Sequence, residues 1–234
     1  MRWVKFLIAL LLLPACAGLT VVAWHVGHGL LAGTNLGPAL AFGAGYLLWL
    51  LVFAFLPKPV RTYVLGHELT HAIWALLMGA RVSGLSVRKA GGQVSTSKTN
   101  WAITLAPYFF PFYAVLFMAA FFIAHAICDL TPHFWVLFFL IGLGWSFHVT
   151  FTIMVLFTVS QPDVKSQGVL FSAVVIYLMN LLTMIATATL LSQSLTFGQL
   201  AHAIGTQVPA GYVWTLDKCA VMWEYAQVAW SQRR

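Results

Sequence analysis

The sequence predicts an all-α polytopic membrane protein of about six transmembrane helices, with a short membrane-associated β-hairpin after the third. Three observations carry that prediction. Of 234 residues, 61% are hydrophobic and only 7% charged, which lies outside the range of soluble globular domains. Apolar runs of roughly 20 residues, the length of helix that crosses a bilayer core, recur along the chain. One stretch, 81–100, is instead rich in Ser, Gly and basic residues and too polar to cross. These features divide the chain into a transmembrane domain, 1–192, and a C-terminal tail, 193–234. The spans are expected near 3–24, 37–56, 61–80, 101–128, 134–159 and 169–191. A formal charge of +7 does not indicate nucleic acid, because the twelve Lys and Arg residues sit at the ends of apolar runs. Basic residues flank membrane spans in this way, and the expected partner is the lipid bilayer.

At the N-terminus, Arg2 and Lys5 precede an apolar run that continues past Leu13-Pro14-Ala15-Cys16, a sequence resembling a lipoprotein cleavage site, to Trp24. That length favours a retained helix over a signal peptide. His25 to Asn35 reads as a Gly-rich loop, whose His25 and His28 form at most a weak metal pair. The second span stops at Pro57-Lys58-Pro59, where two prolines and a charge end the helix. The third begins near Arg61 and ends near Gly79-Ala80. Leu85 and Val87 then alternate with Ser86 and Arg88, followed by Lys89-Ala90-Gly91-Gly92 and Gln93-Val94-Ser95-Thr96. This pattern reads as a β-hairpin, with an irregular surface loop as the alternative. Pro107 and Pro111 interrupt the fourth span early. Asp129 to His133 forms a turn, the fifth span carries His148, and Gln161-Pro162-Asp163 separates it from the sixth, which carries Asn180. The tail holds Trp, Tyr and basic residues, the composition of an amphipathic segment at the membrane surface or of a partly ordered end. Cys16, Cys128 and Cys219 are too scattered to form a disulfide framework.

The chemistry concentrates in the third span, at Gly66-His67-Glu68-Leu69-Thr70-His71. A helix turns about 100° per residue, so His67 and His71 share a face and can bind one metal ion. Neutral imidazoles suit Zn²⁺, and the adjacent Glu68 carboxylate can take a proton from a zinc-bound water attacking a carbonyl. An ionisable group inside a span costs roughly 2.5–3.5 kcal/mol or more, so three of them together indicate function. At 1.5 Å rise per residue the two histidines lie roughly 9–15 Å into the helix, within the bilayer.

A catalytic zinc needs a third protein ligand. Only five acids exist; Asp129, Asp217 and Glu224 fall in a turn or the tail, leaving Asp163, provided the 161–168 connection dips into the bilayer. The alternative for Asp163 is a cap on the sixth helix. His148 is the rival ligand, or else a hydrogen-bonded group that orients a ligand or stabilises an oxyanion. Asn180 reads as helix–helix glue or as a contact for a substrate backbone, and Gln161, beside Asp163, as a further orienting or substrate-contacting side chain. A peptidase is the leading reading. A metal or proton transporter would use the same ionisable groups, but such proteins often show internal repeats and none is evident. A non-cleaving scaffold has no use for a non-ligating Glu68.

From Tyr63 to Asn180 the chain resembles the site-2 protease family of intramembrane zinc metallopeptidases, in particular small bacterial members without a PDZ domain. The resemblance rests on Gly66-His67-Glu68-Leu69-Thr70-His71-Ala72 in a membrane helix, the closing Gly79, a Gly-Gly hairpin, the Pro-rich span and the distant Asp163. The chain departs from the common pattern at Thr70, where many members have Gly, and with Gln161-Pro162-Asp163 in place of a Leu-Asp-Gly signature. The resemblance implies that His67, His71 and Asp163 bind zinc and that Glu68 is the general base. It further implies that the hairpin presents an edge strand on the cytosolic side to an unwound stretch of a membrane protein or peptide substrate, and that the enzyme resides in the bacterial inner membrane.

Overall fold

The computed structural model describes residues 2–32, 36–88, 91–192 and 195–231. In chain order it contains α1 (Arg2–Ala32), α2 (Gly37–Phe55), α3 (Val60–Leu77), β1 (Val82–Arg88), β2 (Gly91–Thr96), α4 (Trp101–Leu105), α5 (Phe112–Ile127), α6 (Phe134–Thr158), α7 (Pro162–Gln167), α8 (Val169–Leu191) and α9 (Phe197–Ser231). Four stretches are long and apolar enough to cross a membrane: Arg2–Gly29, Gly37–Phe55, Thr131–Thr158 and Val169–Leu191. The pair Trp101–Tyr108 and Phe112–Ile127 makes a fifth if its 82° bend is counted within one span. Pro107 and Pro111 explain the bend, since neither offers an N–H to a continuing helix.

Three expectations need correction. α3 is not among the candidate spans, because Arg61, His67, Glu68 and His71 dilute its apolar residues. The loop expected from His25 is helix as far as Ala32, with His28 packed on Trp24 at 4.3 Å between ring centroids; residues 33–35 lie outside the described residues. Of the two alternatives expected for the tail, the partly ordered end gives way to a 35-residue helix, α9. The expected hairpin is present as an antiparallel pair with Leu85 opposite Val94, Val87 opposite Gly92 and Arg88 opposite Gly91; Lys89 and Ala90 lie outside the described residues.

Small residues let the helices touch backbone to backbone, the packing that membranes favour. A Cβ on Gly45 of α2 would fall 2.0 Å from the Phe139 carbonyl oxygen, and one on Gly142 of α6 would fall 2.0 Å from that of Phe42. The contacts also fix helix direction. α2 and α6 run parallel, with Phe42 beside Gly142, the Trp49 indole N–H donating to Thr150 at 2.9 Å, and Phe53 on Phe151. α1 and α8 run parallel, with Lys5 bonded to Gln167 and Thr20 to Tyr177. α6 and α8 run antiparallel, pairing Trp145 with Thr187 and His148 with Asn180, as do α5 and α6, pairing Tyr113 with Phe147 and Phe121 with Phe134.

One end of the bundle therefore gathers the start of α1, the ends of α2 and α6, α7 and the start of α8. α4 begins there too, its Trp101 ring against Phe171 and its Thr104 within 3.5 Å of Gln167. α3 enters beside α6, with Tyr63 stacked on Phe151, and leaves beside α4, where the Asn100 amide reaches Met78. The segment between α2 and α4 thus starts and finishes at the same end, and α3 dips into the bundle without crossing it. Its exit is made by Gly79, at φ 69°, which lets Ala80 N–H turn back onto the Ala75 carbonyl at 2.8 Å in a conformation that favours glycine.

Candidate metal centre

α3 presents His67 and His71 one turn apart, with their ring centroids 4.9 Å from each other. Each ring is held by its Nδ1. That of His71 donates to the Ile103 carbonyl at 2.8 Å, and that of His67 lies 3.3 Å from the Tyr63 hydroxyl. The Ile103 carbonyl is itself fixed by the start of α4, where the Asn100 side chain accepts from Ile103 N–H at 2.9 Å. Both Nε2 atoms are thereby left facing the site, and Nε2 is the nitrogen that ligates a metal when Nδ1 is hydrogen-bonded.

Asp163 faces them from α7. Its Oδ2 is 3.5 Å from His67 Nε2 and 3.4 Å from His71 Nε2. Asp163 does not cap the sixth span, since α8 begins at Gly168 without a side-chain cap. Burial alone would push its carboxyl up, but hydrogen bonding to the two imidazoles holds it below the usual carboxylate range. Among the described residues, His67, His71 and Asp163 are the group whose ligand atoms all lie within 4.8 Å of one another. Among the described residues, His25 and His28 gain no third partner of this kind.

Glu68 is 7% exposed and outside the ligand group. It lines, with His67, His71 and Asp163, a cavity of ≈ 820 Å³ walled by β2, the last turns of α6 and residues Ser160–Pro162. Gly92 lies directly over it: a Cβ there would fall 2.4 Å from Glu68 Cγ and 2.6 Å from its Oε1. With a side chain at position 92, Glu68 would have to shift for the hairpin to cross it.

His148 is not one of the three convergent groups. Its Nε2 lies 3.2 Å from the Asn180 side-chain oxygen, and the Asn180 amide donates to the Tyr108 and Ile176 carbonyls, each at 2.8 Å. The Tyr108 hydroxyl, on a fully buried side chain, is 3.1 Å from both Asp163 Oδ2 and Gln161 Oε1. His148, Asn180 and Gln161 thus meet at Tyr108, which touches the Asp163 carboxylate. Sequence reasoning passed over Tyr108, Gly92 and the Ile103 carbonyl. Only Tyr108 carried a local signal, a hydroxyl set between two helix-breaking prolines.

No family model, curated protein or solved structure matches the chain.

Proposed function

We propose that this protein is an intramembrane zinc metalloendopeptidase that hydrolyses a peptide bond in a transmembrane or membrane-proximal segment of a membrane protein. The observation that carries the reading is the convergence of two imidazoles and one carboxylate beside a fourth ionisable group, Glu68, that is not a ligand. The donor set fits the ion. Two ligand atoms of a tetrahedral zinc bound at 2.0–2.1 Å stand about 3.3 Å apart, against 3.4 and 3.5 Å between Asp163 Oδ2 and the two Nε2 atoms. His67, His71 and Asp163 would hold the zinc, which would supply an activated water and polarise the scissile carbonyl. Glu68 receives the water's proton and passes it to the leaving amine. His67 and His71 are kept in register by Tyr63 and the Ile103 carbonyl, and Asp163 by Tyr108.

Substrate presentation falls to the hairpin. Among the described residues β2 pairs only with β1, and Gly91, Gly92, Gln93, Val94 and Thr96 of β2 line the cavity. A substrate stretch unwound from its helix leaves backbone groups that lipid cannot satisfy, and pairing them with the edge of β2 does so. The resemblance to site-2 proteases supports the same assignment and a location in the bacterial inner membrane. Charge supports the orientation. Arg2, Lys5, Lys58, Arg61, Arg81, Arg88, Lys98 and Lys165 belong to segments that start or finish at the end of the bundle where the cavity opens, while the turn Asp129–His133 at the other end has no Lys or Arg. By the excess of positive charge in cytoplasmic segments, the cavity faces the cytoplasm.

Purified protein is expected to carry about one zinc per chain and to cleave a reconstituted single-span substrate, losing activity to a strong chelator and regaining it with Zn²⁺. Full activity in metal-free protein would exclude the reading. Gly92→Ala is expected to displace the Glu68 carboxylate, the movable partner in that contact, and to lower kcat by about 10²-fold, the order that a 1 Å misplacement costs. Zinc content should stay unchanged. A Gly92→Ala enzyme with normal kcat would show that the hairpin does not constrain Glu68.

A further inference from the structure

We propose that α9 crosses the bilayer antiparallel to α1, its outer face against acyl chains, and carries the chain back to the end of the bundle where the metal centre opens. This inference is independent of the peptidase reading. The two helices meet backbone to backbone. A Cβ on Gly211 would fall 2.4 Å from the Pro14 carbonyl oxygen, and one on Gly18 would fall 2.4 Å from that of Gln207. Further along, the Tyr212 hydroxyl donates to the Leu11 carbonyl at 2.8 Å. As α9 advances from residue 207 to 212, its partners on α1 recede from 18 to 11, so it runs toward the start of α1.

Depth follows from the partners. Leu200, Ala203, Ile204 and Val208 pack with Leu19 and Val22 of α1 and with Leu181 and Ile185 of α8. Those four partners lie inside helices that are themselves candidate spans. A helix pressed along the interior of two spans shares their depth in the membrane. Residues 197–216 contain no Asp, Glu, Lys or Arg, and the first charges are Asp217 and Lys218. Twenty helical residues extend about 30 Å, the thickness of the hydrocarbon core. The outward side of the stretch shows Val213, Trp214 and Leu216, all more than half exposed, and Trp214 stands where aromatic residues concentrate at an interface.

Gln199, His202, Thr206 and Gln207 explain why composition alone does not mark α9 as a span. The Thr206 hydroxyl bonds the His202 carbonyl of its own helix, and Gln207 is half-buried at the crossing with α1. Tolerance of polar residues is what packing on a neighbouring helix provides. The charge pattern agrees. A crossing α9 brings Lys218 to the end that already holds the other basic segments. A tail lying on the opposite surface would put Lys218 where the described turn has no Lys or Arg.

The experiment uses the full-length protein in sealed membrane vesicles of both orientations and a membrane-impermeant maleimide, with labelled sites identified by mass spectrometry. Cys128, exposed at the end of α5, reports the far side. A Cys219→Ser, Ser231→Cys variant reports the end of α9, and a Lys98→Cys variant the hairpin side; wild-type Cys219 repeats the first measurement without any substitution. Position 231 is expected to label from the same side as position 98 and from the side opposite to Cys128. Labelling of position 231 from the Cys128 side would overturn the proposal. A fluorophore attached at position 216 (Leu216→Cys, Cys219→Ser, Cys128→Ser) is expected to be quenched by lipids brominated on their acyl chains. Quenching no greater than at position 231 would also overturn it, by placing that face in water or against protein.

Discussion

Replacing Glu68 with Gln is expected to abolish peptide cleavage while leaving about one zinc bound per chain. The amide retains the shape of the side chain beneath Gly92 but has no basic oxygen to take the proton of the attacking water. General base catalysis by a positioned carboxylate is worth about 10²–10⁴-fold, so turnover should fall by at least about 10²-fold. The ligand atoms are elsewhere, on His67, His71 and Asp163, which is why metal content should not follow activity. Folding should be unchanged or slightly improved, because a 7%-exposed carboxylate is replaced by a neutral group that is less costly to remove from water. Single-turnover cleavage, zinc analysis and thermal unfolding on one preparation separate these outcomes. A Glu68→Gln protein that cleaves at the wild-type rate would remove Glu68 from the chemistry.

Much of this arrangement was legible in the sequence because it depends on local spacing. His67 and His71 had to share a helical face, and five acids in 234 residues left little choice for a third ligand. The alternation around Gly91-Gly92 marked the hairpin, and the two prolines marked the break between α4 and α5. What escaped is set by neighbours. An apolar run such as 63–80 looks the same whether it crosses or dips, and only the pairing of Tyr63 with Phe151 and of Met78 with Asn100 shows that α3 turns back to the end it came from. Because α3 re-enters, the basic residues before it, Lys58 and Arg61, and after it, Arg81, Arg88 and Lys98, share one end of the bundle. The glycines at 27 and 29 suggested a loop, but membrane helices accommodate Gly more readily than soluble ones do, and α1 continues to Ala32. Tyr108 could not be linked to Asp163, 55 positions away, without the fold.

Asp163→Ala is expected to lower zinc affinity far more than His148→Ala, and this ranking tests how the centre is built. Asp163 offers the only carboxylate oxygen in the ligand group, within 3.5 Å of both Nε2 atoms. Removing it leaves two imidazoles, and of the two acceptors of the buried Tyr108 hydroxyl it leaves Gln161 Oε1 alone. His148 acts at a distance, through Asn180 onto the Tyr108 backbone. Loss of an outer partner of that kind typically costs 10–100-fold in metal affinity or activity, and with three bonds between His148 and Asp163 the lower figure is expected here. Asp163→Asn separates ligand loss from unfolding, because the amide oxygen can still accept from Tyr108 while the negative charge is gone. It should unfold near the wild-type temperature yet bind zinc well below the wild-type affinity in competition with a chelator. His148→Ala should retain stoichiometric zinc and show its defect mainly in turnover. If instead His148→Ala loses the ion and Asp163→Ala keeps it, the third ligand belongs to α6, and the approach of Asp163 to the histidines is an ion pair in a metal-free chain.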